Sequence, residues 1–275
     1  MKGAVLVTGC SSGIGRACAD RLSRAGFRVF AGVRQVADAS PASGTPVVVD
    51  VSSSDSVARA AAFVGAHLDG LSFVGIVNNA GVSAAGPLAS LPVDEVRRTM
   101  EVNLLGPLRV AREFLPMLRA CGGRIINIGS GEAFLATPFN GAYCMSKHAL
   151  EALTECLRLE LAPEGVAVCI VEPGQTDTAI LQKSSRQFDE LEGRFRKEGP
   201  ESYVRGIRAR AAMSARAGMS PDRVAAAVER ALTARRPRAR YFVGLDVRAA
   251  AVLGRFLPAR LRDRIFTRFF GFPGR

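Results

Sequence analysis

Tryptophan is absent from the 275 residues, and histidine occurs only at His67 and His148. Both histidines fall in helical context with no partner pattern, so neither reads as a base or a metal ligand. The six cysteines, at 10, 18, 121, 144, 156 and 169, include no C-x-x-C pair. That excludes the usual zinc and redox spacings and speaks for buried free thiols in a reducing cytoplasm. Cys144 in particular reads as packing. No apolar run approaches the roughly 18 residues of a membrane span. The run at 4–7 is too short for a secretory signal and reads as a first strand. Acidic side chains are in deficit, with a net charge of +12. Residues 234–275 account for most of it, with 11 arginines against two aspartates, whereas residues 1–150 carry 14 basic and 10 acidic side chains. No recognition motif accompanies the charge, so a nucleic-acid partner is not expected and a solvated arginine-rich surface is preferred.

What is present is alternation. Short apolar runs at 4–7, 28–33, 46–51, 73–77, 124–128 and 166–171 are separated by helical stretches at 14–25, 55–67, 94–119 and 142–161. Apolar runs of this length between helices suit strands buried on both faces. The expectation is one α/β domain over 1–275: an open, doubly wound parallel sheet that binds its ligand outside the strands' carboxyl ends. Residues 175–220 break the rhythm, with helical stretches and no strand, and read as a substrate lid or loop. A helix at 221–234, a strand at 241–243 and a basic amphipathic tail over 245–275 complete the chain.

The first strand runs into Thr8-Gly9-Cys10-Ser11-Ser12-Gly13-Ile14-Gly15 and then a helix. Glycines there let the backbone approach a pyrophosphate, which the helix N-terminus attracts. The second strand ends at Arg34 with no carboxylate to bind a ribose diol. A guanidinium suits a 2′-phosphate, so NADP(H) is preferred over NAD(H), the alternative being an exposed loop arginine.

Tyr143 and Lys147 are four residues apart on one helix face. An adjacent ammonium favours the phenolate and would bring a tyrosine toward a working general acid–base. Ser130 lies 13 residues before Tyr143, directly after the fifth strand, and Asn103 falls inside the long helix 94–119.

TGCSSGIG (8–15), Asp50-Val51, NNAG (78–81), Asn103, Ser130, YCMSK (143–147) and PGQTDT (173–178) occur in an order that resembles the short-chain dehydrogenase/reductase family. The resemblance implies a Rossmann-type fold and hydride exchange between a nicotinamide cofactor and a carbonyl/alcohol pair. Tyr143 would then pass the proton, Ser130 would orient the substrate oxygen, and Lys147 would lower the phenol's pKa and bind the nicotinamide ribose. Asn103 would anchor a water in a proton relay. Gly9, Ser11, Ser12, Gly13, Ile14 and Gly15 would surround the pyrophosphate. Asp50 and Val51 would meet the adenine, and Asn78, Asn79, Ala80 and Gly81 the adenosine ribose. Pro173, Gly174, Thr176 and Thr178 would flank the nicotinamide. Ser12 departs from the basic residue that many NADP-dependent members carry there.

TPFNGAYCMSKHALEAL (137–153) and the arginine-rich C-terminus resemble the steroid and retinol dehydrogenase branch, which implies an apolar substrate, steroid-, retinoid- or ketoacyl-like. Phe134, Leu135 and Phe139 read equally well as core. Glu132, two residues after Ser130, reads either as a residue near substrate or as a solvated loop acid, the latter preferred. By the same resemblance the long helices pair subunits into a homodimer or homotetramer. The tail reads as packing on the cleft or a neighbouring subunit in preference to peripheral membrane contact. Two other classes remain: a regulatory protein that binds dinucleotide without chemistry, and a sugar epimerase or dehydratase. The intact Asn–Ser–Tyr–Lys set argues against the first, and the chain length against the second.

Overall fold

Strand β1 (Ala4–Thr8) is buried at every position, because both sides of the sheet are covered. The computed structural model describes residues 1–273. Side chains alternate along the strand. Val5 and Val7 join one core with α1 (Gly13–Arg24), β2 (Arg28–Val33) and residues of the much later α8 (Pro221–Thr233). Ala4 and Leu6 join the opposite core with β3 (Thr45–Val48), α2 (Ser54–Ala66), β4 (Phe73–Asn78) and the helix around Phe114. The remaining strands are β5 (Arg124–Ile128), β6 (Ala167–Pro173) and β7 (Arg240–Val243). Among the described residues all seven pair in parallel, in the order β3-β2-β1-β4-β5-β6-β7. The order reverses between β1 and β4, which opens a crevice at their carboxyl ends.

Two elements differ from the sequence reading. The third strand was expected to reach residue 51 but ends at Val48. The Asp50 amide donates to Ser56 Oγ at 2.9 Å instead of to a neighbouring strand, so the chain peels toward α2. The expected single helix 94–119 is α3 (Val93–Met100), a π-helical turn (Glu101–Leu105) and α4 (Gly106–Arg119). An α-helix would draw the donor for the Asn103 carbonyl from residue 107, which is proline and has no N–H. The Gly106 amide reaches back five residues to the Glu101 carbonyl, and the helix continues with that carbonyl step displaced.

α5 (Gly141–Leu161) follows β5 and enters at its start through Phe139, a bulky residue at φ 64. Residues 175–220 contain α6 (Ala179–Glu198) and α7 (Glu201–Ser214), joined by a satellite core of Phe139, Phe188 and Ile207. The tail forms α9 (Leu245–Phe256) and α10 (Ala259–Phe269). Among the described residues no helix is long and apolar enough to cross a membrane.

Candidate active site

A cavity of about 1090 Å³ opens at the carboxyl ends of the strands. Its lining includes Gly9, Ser11, Ser12, Gly13 and Ile14 after β1, Arg34 after β2, and Asp50 and Val51 after β3. Asn79, Ala80 and Gly81 follow β4, Ser130 follows β5, and Tyr143 and Lys147 come from the first turns of α5. Pro173, Gly174, Thr176 and Thr178 close the side below β6. The sheet therefore gathers nearly all the residues singled out in the sequence; Gly15, Asn78 and Asn103 do not line the cavity.

Gly15 acts from underneath. A Cβ there would lie 2.2 Å from the Gly9 carbonyl oxygen, so only glycine lets the turn fold this tightly. Gly9 (φ 72) and Gly13 (φ 57) occupy the left-handed region. The turn is braced by Asn79, whose Nδ2 donates to the Thr8 carbonyl at 2.9 Å, while Thr8 Oγ1 accepts from the Asn79 and Ala80 amides at 3.0 Å each. Ser12 caps α1 without a side-chain hydrogen bond, leaving the first-turn amides directed at the cavity. Asn78 does not reach the adenosine region as expected. It is buried, and its Nδ2 donates to Asn127 Oδ1 at 2.9 Å, stitching β4 to β5 inside the sheet.

At the opposite end, the Asp50 carboxylate accepts from the Ser52 hydroxyl at 2.6 Å and amide at 2.9 Å, which hold it below the usual carboxylate range. Arg34 stands directly at the end of β2. Asp38, on the next single turn, lines the cavity too, and no motif in the sequence marks it.

Lys147 is buried, and its Nζ donates to the Ile128 carbonyl at 2.8 Å while lying 5.5 Å from the centre of the Tyr143 ring. Burial pushes this ammonium down to about 8, against the pull of Glu172. Tyr143 does not follow the sequence expectation of a lowered pKa. Burial pushes its phenol above the ordinary value, the Glu132 carboxylate adds to the rise, and the Ser130 hydroxyl opposes it.

Asn103 is buried, and its side chain is fully engaged: Oδ1 accepts from the Val82 amide at 2.8 Å, and Nδ2 donates to the Val82 carbonyl at 2.9 Å and Ser146 Oγ at 3.0 Å. Pro107 leaves its main-chain carbonyl without an α-helical donor.

Glu132 is not a solvated loop acid. Its carboxylate accepts from Asn140 Nδ2 at 2.6 Å, Thr137 Oγ1 at 3.0 Å and Arg210 at 2.7 Å. The Arg210 guanidinium stacks on Phe188 at 5.2 Å and donates to Ser214 Oγ at 2.9 Å. Both partners of the pair line the cavity, and the bond ties α7 to the loop that carries Ser130. The partners lie 78 residues apart in the chain, a separation that no local pattern reveals. Cys144 is buried and its thiol pushed up to about 12 by burial and Glu132, in keeping with packing and against a thiolate nucleophile. Among the described residues no cluster suits a metal ion.

The pattern of the short chain dehydrogenase family matches residues 3–189. An uncharacterized oxidoreductase, YbbO, of Escherichia coli is 36% identical over 269 residues, covering 96% of this chain and 94% of that protein. Human retinol dehydrogenase 5 is 34% identical over 278 residues, covering 96% and 87%. A short-chain dehydrogenase from Burkholderia cenocepacia, solved in complex with NADP, superposes with a TM-score of 0.73 at 28% identity over 97% of each chain. The glycine turn, the tyrosine helix and the parallel sheet thus define a dinucleotide-dependent oxidoreductase. The chain belongs to the short-chain dehydrogenase/reductase family.

Proposed function

We propose that the protein is an NADP(H)-dependent oxidoreductase that interconverts a carbonyl and a secondary or primary alcohol on an apolar compound of steroid-, retinoid- or ketoacyl-like character. The observation that carries this reading is the meeting of Ser130, Tyr143 and Lys147 with the glycine turn in one cavity.

The residues present fit a dinucleotide. The turn at Gly9, Gly13 and Gly15 admits a pyrophosphate against the free amides of α1, with Ser11, Ser12 and Ile14 around it. Arg34 supplies a cation for a 2′-phosphate, Asp50 and Val51 receive the adenine, and Asn79, Ala80 and Gly81 the adjoining ribose. Lys147 keeps two N–H groups beyond the one given to Ile128, enough to hold the nicotinamide ribose. Pro173, Gly174, Thr176 and Thr178 flank the ring. When bound, the nicotinamide supplies the hydride chemistry.

The chain's part is the proton. In reduction, Tyr143, protonated at neutral pH, gives its phenolic proton to the carbonyl oxygen. Ser130 orients and polarises the same oxygen. Lys147 returns a proton to the phenol from the side away from substrate, and the Asn103 main-chain carbonyl accepts a hydrogen bond from the water that resupplies Lys147. Leu135, Ile180, Met213, Ala250 and Phe266 give the far wall an apolar surface, and residues 175–220 act as the lid. Retinol dehydrogenase 5 among the relatives agrees with an apolar alcohol. The thiols are all free, in accord with a cytoplasmic protein. Leu159 and Met145, exposed on α5, suit pairing into a homodimer or homotetramer.

The test is NADPH consumption with a panel of apolar ketones and aldehydes, repeated with NADH and with Arg34→Glu. Net oxidation of NADPH, with the preference moving at least about ten-fold toward NADH in the variant, supports the reading. Binding of NADPH without turnover on any member of the panel contradicts it.

A further inference from the structure

The two C-terminal helices present a face that no described residue covers. Four-residue spacing divides α10 into stripes. Phe266 lines the cavity and Phe270 is buried, so this stripe faces the molecule. Leu261, Ile265 and Phe269 form the next stripe and are 46%, 50% and 49% exposed. Arg260, Arg264 and Arg268 form a third stripe beside it, all three exposed. α9 is divided in the same way. Val247 and Ala250 line the cavity, and Gly254 lies so close to the Phe134 carbonyl that a Cβ would come within 2.2 Å of it. On the outer side Val252, Leu253 and Phe256 are exposed, Phe256 by 73%.

Large apolar side chains half exposed on two successive helices mark an interaction surface. The accompanying charge selects the partner. Residues 234–275 carry 11 arginines against two aspartates, so a second copy docked across a two-fold axis would bring the arginine stripe against itself. Phenylalanine, leucine and isoleucine flanked by arginine are the composition of helices that lie in the headgroup boundary of an anionic bilayer. Only the inner faces pack as the sequence led one to expect of the tail; we propose that the outer faces of α9 and α10 dock the protein on an anionic lipid surface. Their inner faces wall the substrate cavity, so docking sets that cavity against the bilayer. The proposal is independent of the redox reading and of the cofactor.

Vesicle flotation tests it, using the full chain with phosphatidylcholine vesicles and with mixed phosphatidylcholine–phosphatidylserine vesicles. The wild type is expected to float with the mixed vesicles only, and to be released as salt is raised. The double variant Ile265→Glu/Phe269→Glu, and separately Phe256→Glu, are expected to lose more than about ten-fold in partitioning, given the apolar area each removes from the bilayer. Both should keep the wild-type thermal midpoint, because the side chains replaced are exposed. No flotation with mixed vesicles, equal flotation with both vesicle types, or undiminished flotation of both variants would overturn the proposal. So would dissociation of an oligomer by the double variant when the wild type binds no vesicles, which would make a second copy the occupant of the face.

Discussion

The Glu132 carboxylate takes hydrogen bonds from Asn140, Thr137 and Arg210, and it stands close enough to Tyr143 to raise the phenol. The other groups acting on that phenol are Ser130, Cys144 and Glu172. Alcohol oxidation needs the phenolate, so its rate rises as pH approaches the phenol's value. Glu132→Gln removes a negative charge and should move that rise to lower pH. Arg210→Met leaves the carboxylate without its cation and should move the rise to higher pH. Arg210→Met should also cost about 3 kcal/mol in stability, as an ion pair broken in a mostly buried place does. pH–rate profiles and denaturant melts of the two variants check both statements. A profile unmoved in either variant would show that the pair does not act on the phenol. Glycine, serine, tyrosine and lysine were legible here because their spacing is local. Glu132 was not, because its partner lies 78 residues downstream on a different helix.

Helix and strand positions followed from hydrophobic periodicity, since a sheet covered on both sides leaves apolar runs such as Ala4–Thr8 and Ala167–Pro173. Periodicity says nothing of carbonyl direction, so the π-helical turn at Asn103 was hidden within a continuous helical pattern. Pro107 was the available sign, lying where it removes the donor for that carbonyl. Pro107→Ala restores an N–H and allows a regular α-helix through 101–105. The expected outcome is a fall in kcat of about ten-fold with unchanged KM for the cofactor and an unchanged or higher thermal midpoint. Stopped-flow measurement of proton uptake together with calorimetry checks it, and an undiminished kcat would remove the displaced carbonyl from the proton path.

Across the whole molecule, β6 and β7 are joined to α5 around a buried acid. Glu172 is fully enclosed, with no hydrogen-bond partner for either oxygen among the described residues and Arg240 Nε at 3.8 Å. Arg240 is shared with Glu151 and with Glu155 at 3.7 Å. Burial, then Glu151, raises the Glu172 carboxyl well above its ordinary value. The folded protein therefore holds this proton more tightly than the unfolded chain. Stability is fullest below the ordinary carboxylate value and declines as pH rises from there toward the folded one. Glu172→Gln keeps the shape of the protonated acid and should flatten that decline, as thermal melts between about pH 5 and pH 8 will show. A slope unchanged by the substitution would place the acid's proton elsewhere. This acid was invisible in the sequence because its surroundings come from three elements distant in the chain.

The proposed proton route ends at the Tyr143 hydroxyl. Replacing Tyr143 by phenylalanine, and measuring turnover alongside NADPH affinity by fluorescence, tests the account most directly. The predicted result is a loss of kcat of about 10²–10⁴-fold with NADPH binding and thermal midpoint unchanged. Turnover preserved in the folded, NADPH-binding variant would contradict it.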